Sequence, residues 1–170
     1  MVEQPFIYEI NTWVWLGELG RATEGNIGLA EVPGEEWDAI AALGFDAVWL
    51  MGVWERSPQG IRIANENVGL QADFLRVLPD YTLADNVGSA YSVHRYIVDA
   101  HLGGPEGLAK ARHMLTQRGL RLILDFVPNH VAPDHPWAFE HPEYFVQGTQ
   151  VDLPAWGFRF LRFQSDRSGG

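Results

Sequence analysis

The sequence predicts an α/β fold in which parallel strands alternate with helices. The apolar run Phe45 to Val53 has the length and residue types of a strand buried on both faces of a parallel sheet, and Leu120 to Val127 is predicted to be a further strand. An aromatic and β-branched segment, Phe6 to Leu16, precedes them. Helical patterns separate the later segments, and this β-α-β-α-β order implies parallel strands joined by right-handed crossovers.

The first half of the chain is predicted to contain two strands and one helix. Phe6 to Leu16 is expected to form a single strand, and Gly17 to Gly34 is expected to be a loop because Gly, Glu and Pro accumulate there. Glu35 to Leu43 has helical spacing and acidic residues at its start, where the helix dipole favours them. Gly44 is the expected C-terminal cap of this helix.

The second half begins with a long polar stretch, Glu55 to Gly88, which is predicted to be irregular apart from a short helix around Gln71 to Leu78. Loops of this length inside a compact domain are usually functional. The next helix is predicted to begin at Pro105, a residue favoured in the first helical turn, and to end at Gly119. The third strand follows directly.

Charge and composition exclude several function classes. The chain has 22 acidic and 12 basic residues among 170, a net charge of −10, which argues against a nucleic-acid surface. It has no cysteine, so thiolate chemistry is absent. No apolar stretch approaches the ~20 residues of a membrane helix, and no signal peptide is visible, so we expect a cytoplasmic protein. The many aromatic residues suit either core packing or stacking on sugar rings.

Three polar side chains follow the third strand, in the segment Asp125-Phe-Val-Pro-Asn-His130. In α/β barrels the carboxyl ends of the strands carry the active site. Asp125 must be hydrogen-bonded if it is buried, and a structural acceptor for loop N–H groups is the simplest role for it. Asn129 offers a carbonyl oxygen to a hard cation or a sugar hydroxyl, and His130 can donate to a ligand oxygen.

This segment resembles the first signature motif of the α-amylase family, glycoside hydrolase family 13, at the end of barrel strand 3. Other segments resemble the same family in the same order: Phe6 to Ile10 its opening strand, Leu43 to Leu50 its second strand, Tyr91 to Tyr96 the loop before its second helix, and Glu140 to Phe145 the start of its inserted loop domain. The resemblance covers about Pro5 to Phe145.

The resemblance implies a partial TIM (β/α)8 barrel, with about the first three strands and the start of the loop domain inserted after strand 3. Residues 1–130 would form the N-terminal part of the catalytic barrel. Residues 131–150 would begin the inserted domain, and residues 151–170 would be an unmatched, irregular tail.

The resemblance also implies roles for four residues. Tyr91 would be an aromatic platform beside the sugar that is cleaved, and His130 would hydrogen-bond the hydroxyls of that sugar. Asp125 would support the loop and an Arg near the nucleophile, and Asn129 would support the site. Asn129 also matches a position that binds calcium in many α-amylases, so calcium is the one cofactor that the resemblance raises.

The family's α-retaining chemistry needs an Asp nucleophile and a Glu acid/base about 5–5.5 Å apart. No strand that would carry this pair is identifiable, and the nearest echo of the nucleophile motif, Gly157 to Leu161, has Leu161 where an Asp is needed. We therefore predict a truncated α-amylase-family glycosidase that binds α-linked glucans or oligosaccharides but is inactive alone. A second chain completing the barrel is a candidate partner. The alternative is a non-catalytic remnant that binds sugar or a partner, or a gene fragment without function.

Overall fold

The computed structural model describes residues 4–22 and 25–145, and its centre is a parallel sheet of three strands. The strands lie in the order β1-β2-β5, with Ile7 opposite Ala47 and Ala47 opposite Arg121. The predicted α/β class is confirmed. The elements are β1 (Ile7–Asn11), α1 (Thr12–Ala22), α2 (Gly34–Ala42), β2 (Ala47–Met51), β3 (Trp54–Arg56), α3 (Pro58–Glu66), α4 (Val68–Val77), β4 (Val93–Val98), α5 (Gly104–Gln117), β5 (Arg121–Leu124) and α6 (Pro136–Glu140).

The core lies between this sheet and the helices α2 and α5. Val48 and Leu50 of β2 are fully buried, as the continuous apolar run around them predicts. Trp37 of α2 is fully buried and meets Trp15 of α1 edge to face at 5.0 Å, while Leu115 of α5 is fully buried in the same cluster. Burial of side chains of this size contributes about 1.5–3 kcal/mol each, and β2 is the central strand of the sheet that this core covers.

The predicted strand from Phe6 to Leu16 is wrong in its second half. The strand β1 ends at Asn11, and α1 continues from Thr12 to Ala22, through the first part of the expected loop. The Asn11 side chain accepts a 3.4 Å hydrogen bond from the Val14 N–H, the bond of a helix N-cap. Thr12, Leu16 and Gly20 are buried at four-residue spacing, so the apolar residues here follow a helical period.

The long stretch from Glu55 to Gly88 is far more regular than predicted. It contains the end of β3, the two helices α3 and α4, and a short 3-10 turn at Leu83–Asp85. Ser57 and Asn67 cap the two helices, because their side-chain oxygens accept hydrogen bonds from Gly60 N at 2.7 Å and Leu70 N at 3.1 Å. The predicted short helix corresponds to α4, which begins three residues earlier.

An antiparallel pair of strands, β3 with β4, was not predicted. Tyr91 to Tyr96 was expected to be a loop, but β4 begins at Val93 and pairs with β3 in antiparallel fashion. Trp54 lies opposite Val98 and Arg56 opposite Val93, with irregular register between them. This two-stranded sheet lies beside the carboxyl end of the parallel sheet, because β3 follows β2 after only two residues.

The third predicted strand is shorter than its apolar run. β5 ends at Leu124, so Asp125 is the first residue beyond it. The helix before it, α5, carries Pro105 in its first turn and is followed by Gly119 at a φ of +75°, both as predicted. After the strand, α6 and a 3-10 turn at Pro142–Tyr144 precede the last described residue. The predicted tail and the Gly157 to Leu161 segment lie outside the described residues.

Within the described part of the chain, no helix combines the length and the apolar character needed to cross a bilayer.

Candidate functional site

Asp125 is buried at the carboxyl end of β5, where the sequence places the start of the site. It is 7% exposed, and both of its carboxylate oxygens accept hydrogen bonds. Oδ1 accepts from the Trp49 indole at 2.8 Å, and Oδ2 accepts from the Gly52 backbone N–H at 2.5 Å. Its carbonyl oxygen accepts from the Trp54 indole at 2.9 Å. Asp125 therefore joins the end of β5 to the turn between β2 and β3.

Gly52 adopts a conformation that this contact needs. Its φ is +79°, a region that favours glycine, and a Cβ there would lie 3.0 Å from the Ala90 Cβ and 3.1 Å from Nη2 of Arg56. The turn brings the Gly52 N–H to the Asp125 carboxylate and packs it against the chain just before Tyr91. The turn after β2 and the loop before β4 are thus held together at one edge.

His130 and Tyr91 meet across 39 residues of sequence. Nε2 of His130 lies 3.1 Å from the Tyr91 carbonyl oxygen, and Nδ1 lies 3.4 Å from the Asn129 amide nitrogen. A carbonyl can only accept, so the neutral imidazole carries its proton on Nε2, and Nδ1 is the acceptor. The contact with Asn129 is long and therefore weak, so Nδ1 is the ring atom that can most easily accept a hydrogen bond from an external hydroxyl.

An open pocket of about 420 Å³ lies along this edge of the sheet. Its walls come from β2, from the loop before β4, and from the end of β5 and the residues after it: Trp49, Tyr91, Ile123, Leu124, Asp125, Phe126, Val127 and Pro128. Tyr91 is 45% exposed, so a ligand in the pocket can reach this residue. The structure thus brings Tyr91, Asp125, Asn129 and His130 to one edge of the sheet, and their binding of sugar stays a prediction.

The β3–β4 pair supports the site segment, which we define as residues 125–130. Besides the Trp54 bond to Asp125, the Tyr96 hydroxyl accepts from Val127 N at 2.9 Å and donates to Val127 O at 3.2 Å. The sequence did not single out Trp49, Trp54 or Tyr96. The β-branched residues Val93, Ile97 and Val98 were the signal for β4, but Tyr91 to Tyr96 was expected to form a loop.

A second polar cluster fixes the chain beyond the site segment. Asp134 accepts hydrogen bonds from the Ser57 hydroxyl at 2.6 Å and from Gln59 N at 2.9 Å, and Nδ1 of His94 lies 3.4 Å from its Oδ1. Burial alone would raise the pKa of Asp134, but the hydrogen bonds from Ser57 and Gln59 outweigh it and lower that pKa. This carboxylate attaches the loop after β5 to the start of α3.

His135 is 5% exposed beside this cluster, and its Nδ1 accepts a hydrogen bond from Trp137 N at 3.1 Å. Burial lowers the pKa of His135, and the nearby His94 lowers it further, against smaller opposite effects of Asp134 and Glu140. Removal from water disfavours the charged imidazolium, so the neutral ring that caps α6 is the stable form.

The residues around Asn129 do not form a calcium site by themselves. Among residues 4–22 and 25–145, no three His, Asp or Glu side chains are grouped so that they could hold a metal ion. The Asn129 side chain is exposed and its amide nitrogen is directed at His130. A hard cation needs six to eight oxygen ligands, so we assign no chemical step to calcium here. Calcium at Asn129 stays a prediction.

A family model described as the α-amylase catalytic domain matches residues 32–157, which include β2, the β3–β4 pair and the whole site segment. The chain belongs to the α-amylase family. The resemblance seen in the sequence is therefore confirmed, and the three parallel strands are part of that family's TIM barrel.

Individual relatives agree with this assignment. The probable oligo-1,6-glucosidase 2 of Bacillus subtilis (strain 168) is 37% identical over 70 residues, which are 40% of this chain and 12% of that protein. The α-amylase MalA of Haloarcula japonica is 26% identical over 156 residues, 91% of this chain and 18% of that protein. The chain thus spans less than a fifth of the length of either relative.

One solved structure illustrates the fold. The α-amylase from Lactobacillus plantarum superposes with a TM-score of 0.59 and 20% sequence identity, over 90% of this chain and 30% of that one. At this identity the likeness concerns the fold alone. It agrees with a partial barrel, because the matched region is less than a third of the larger protein.

Proposed function

We propose that this chain forms the substrate-binding side of a glycosidase or transglycosylase that acts on α-linked glucans or oligosaccharides. The observation that carries the proposal is the contact between His130 and the Tyr91 carbonyl, beside the half-exposed Tyr91 ring, at the carboxyl end of the parallel strands. It joins the two residues to which the family resemblance gives sugar-contacting roles. The open pocket that Tyr91 lines has a volume of about 420 Å³, enough for a sugar ring.

Each residue has a distinct part in the proposal. The Tyr91 ring stacks on a face of the sugar, where C–H groups meet the aromatic surface. A sugar hydroxyl displaces the Asn129 amide from Nδ1 of His130 and donates to that nitrogen, while Nε2–H keeps its bond to Tyr91 and fixes the ring. The freed Asn129 amide then donates a hydrogen bond to the neighbouring hydroxyl of the sugar. Asp125 acts through Trp49 and Gly52, since both of its oxygens are already used.

Cleavage of a glycosidic bond needs two carboxylates that flank it. We assign none of the described acidic residues to that pair, because Asp125, the acidic residue that lines the pocket, is held as a hydrogen-bond acceptor. We propose that strands completing the barrel supply the nucleophile and the acid/base, from a further segment or a second chain. The chain by itself is then a binding module without turnover.

The test is a titration of the 170-residue chain with maltotriose, followed by ¹⁵N–¹H NMR. We expect shifts confined to the site segment and Tyr91, and their loss in Tyr91→Ala and His130→Ala. Phe139→Ala is the matched control, because Phe139 is 73% exposed on α6, away from the pocket walls. Absence of any shift in a folded wild-type chain would refute the proposal, as would equal shifts in all variants.

Catalysis is tested separately with aryl α-glucosides and malto-oligosaccharides. We expect no turnover by the chain alone and turnover after addition of a segment that supplies the remaining strands. Turnover by the chain alone would show that an acid pair exists within it and would overturn the binding-module assignment.

A further inference from the structure

Four contacts join residues 125–132 to the β3–β4 pair and to Tyr91, which lies two residues before β4. Asp125 O accepts from the Trp54 indole, Val127 contacts Tyr96, and Nε2 of His130 contacts Tyr91 O. Farther along, Ala132 N donates to Val93 O at 3.4 Å. The β3–β4 pair therefore acts as a template for the conformation of the segment that carries Asn129 and His130.

Tyr96 makes the closest double contact in this series. Its one hydroxyl oxygen accepts from Val127 N at 2.9 Å and donates to Val127 O at 3.2 Å, so the donor and an acceptor position of the phenol are both used on one residue. Its ring meets the Trp54 ring edge to face at 5.4 Å and lies tilted against Phe126 at 5.9 Å. These ring contacts fix the phenol, and the phenol fixes the backbone at Val127.

The position of Val127 matters because it connects the buried end of β5 to the polar residues of the site. Val127 lines the pocket together with Phe126, whereas Tyr96 does not line it. Asn129 and His130 follow within three residues and are exposed, and the contact of His130 with Tyr91 O holds the ring but not the backbone before it. Their geometry thus depends on backbone anchors at Asp125 and Val127.

We propose that Tyr96 is a positioning residue that acts through its hydroxyl on Val127 and sets the geometry in which Asn129 and His130 meet a sugar. This inference rests on the proposed function for its consequence in sugar binding. Its structural part, the control of the site segment by one phenol, is independent of any ligand. A longer or differently placed side chain at Tyr96 would change the sugars that fit, because the pocket wall would move.

The test variant is Tyr96→Phe, which keeps the ring and removes the hydroxyl. Tyr8→Phe is the control, because Tyr8 lies in β1 and packs on Phe45 at 5.1 Å, away from Val127. We expect hydrogen exchange of the Val127 amide to become about five- to tenfold faster, because one hydrogen bond is lost. The ring ¹⁵N resonances of His130 should shift as well. Exchange elsewhere in the sheet should match that of the wild type.

The ligand readout separates this inference from the proposed function. If the wild-type chain binds maltotriose, Tyr96→Phe should bind it at least about threefold more weakly, while Tyr8→Phe binds normally. Equal affinity, or unchanged Val127 exchange, would overturn the role of Tyr96. If the wild-type chain binds no maltotriose, the proposed function fails, while the Val127 and His130 measurements still decide whether Tyr96 positions the segment. Trp54→Phe, a second variant, should shift the Asp125 resonances and, because the Trp54 ring also packs on Tyr96, should speed Val127 exchange less than Tyr96→Phe does.

Discussion

Replacement of Asp125 tests whether this carboxylate has the structural role that its contacts indicate. The carboxylate accepts from two donors, the Trp49 indole and the Gly52 N–H, and is 7% exposed. In Asp125→Asn the side chain keeps its shape, but one position becomes an NH2 group that faces a donor. One charge-assisted hydrogen bond is lost, so we expect the free energy of unfolding to fall by about 1.5–3 kcal/mol.

Asp125→Ala should cost more, because both donors lose their acceptor. Two such losses amount to about 3–6 kcal/mol, with the lower half more realistic because the Trp49 indole is only partly buried and can reach water. A whole domain is stable by about 5–15 kcal/mol, so the alanine variant should be close to unfolding. The two variants should therefore differ from each other as clearly as from the wild type.

The assay is urea unfolding followed by tryptophan fluorescence, with the Trp49 indole ¹⁵N–¹H resonance as a local reporter. Asp85→Asn is the matched control, because Asp85 also accepts two hydrogen bonds, from Thr82 N at 2.7 Å and Thr82 Oγ1 at 2.8 Å, but on the surface. Water can replace those bonds, so little change is expected. An Asp125→Asn variant within about 0.5 kcal/mol of the wild type would refute the reasoning.

Three further predictions follow from the fold. Burial lowers the folded-state pKa of His135 below 6.5, so its contribution to stability should be complete above about pH 6.5 and be lost as the pH falls toward the lowered pKa. His135→Asn, whose side-chain oxygen can still accept from Trp137 N, should flatten this decline in thermal unfolding, whereas His113→Asn, at an exposed position of α5, should leave the decline in place. Gly52→Ala should destabilise by about 1–3 kcal/mol and exceed Gly44→Ala, because both glycines have positive φ but only Gly52 has close neighbours; equal losses would show that the close approach is unimportant. The outer edges of β1 and β5 carry no further strand among the described residues, so light scattering should detect self-association of the chain, and a monomer that unfolds in one sharp transition would contradict this.

The periodicity of the sequence was sufficient for the parts of the fold that depend on local burial. The apolar run around Val48 and Leu50 predicts a doubly buried strand, and the pair Pro105 and Gly119 predicts both ends of α5. It was insufficient at Asn11, where a run of aromatic residues suits either strand or helix. There the Asn11 side chain caps the Val14 N–H and Leu16 is buried, and both features favour the helix.

By itself, the sequence determined the α/β class and the family, and it named four candidate site residues whose binding of sugar stays a prediction. Those features depend on short, contiguous patterns such as the segment from Asp125 to His130. Only the tertiary structure decided what each polar group contacts. The partners of Asp125, Val127 and Asp134 lie 31 to 77 residues away in sequence, and no local period encodes such pairings. Backbone geometry brings them within hydrogen-bond distance, and burial then makes each bond obligatory.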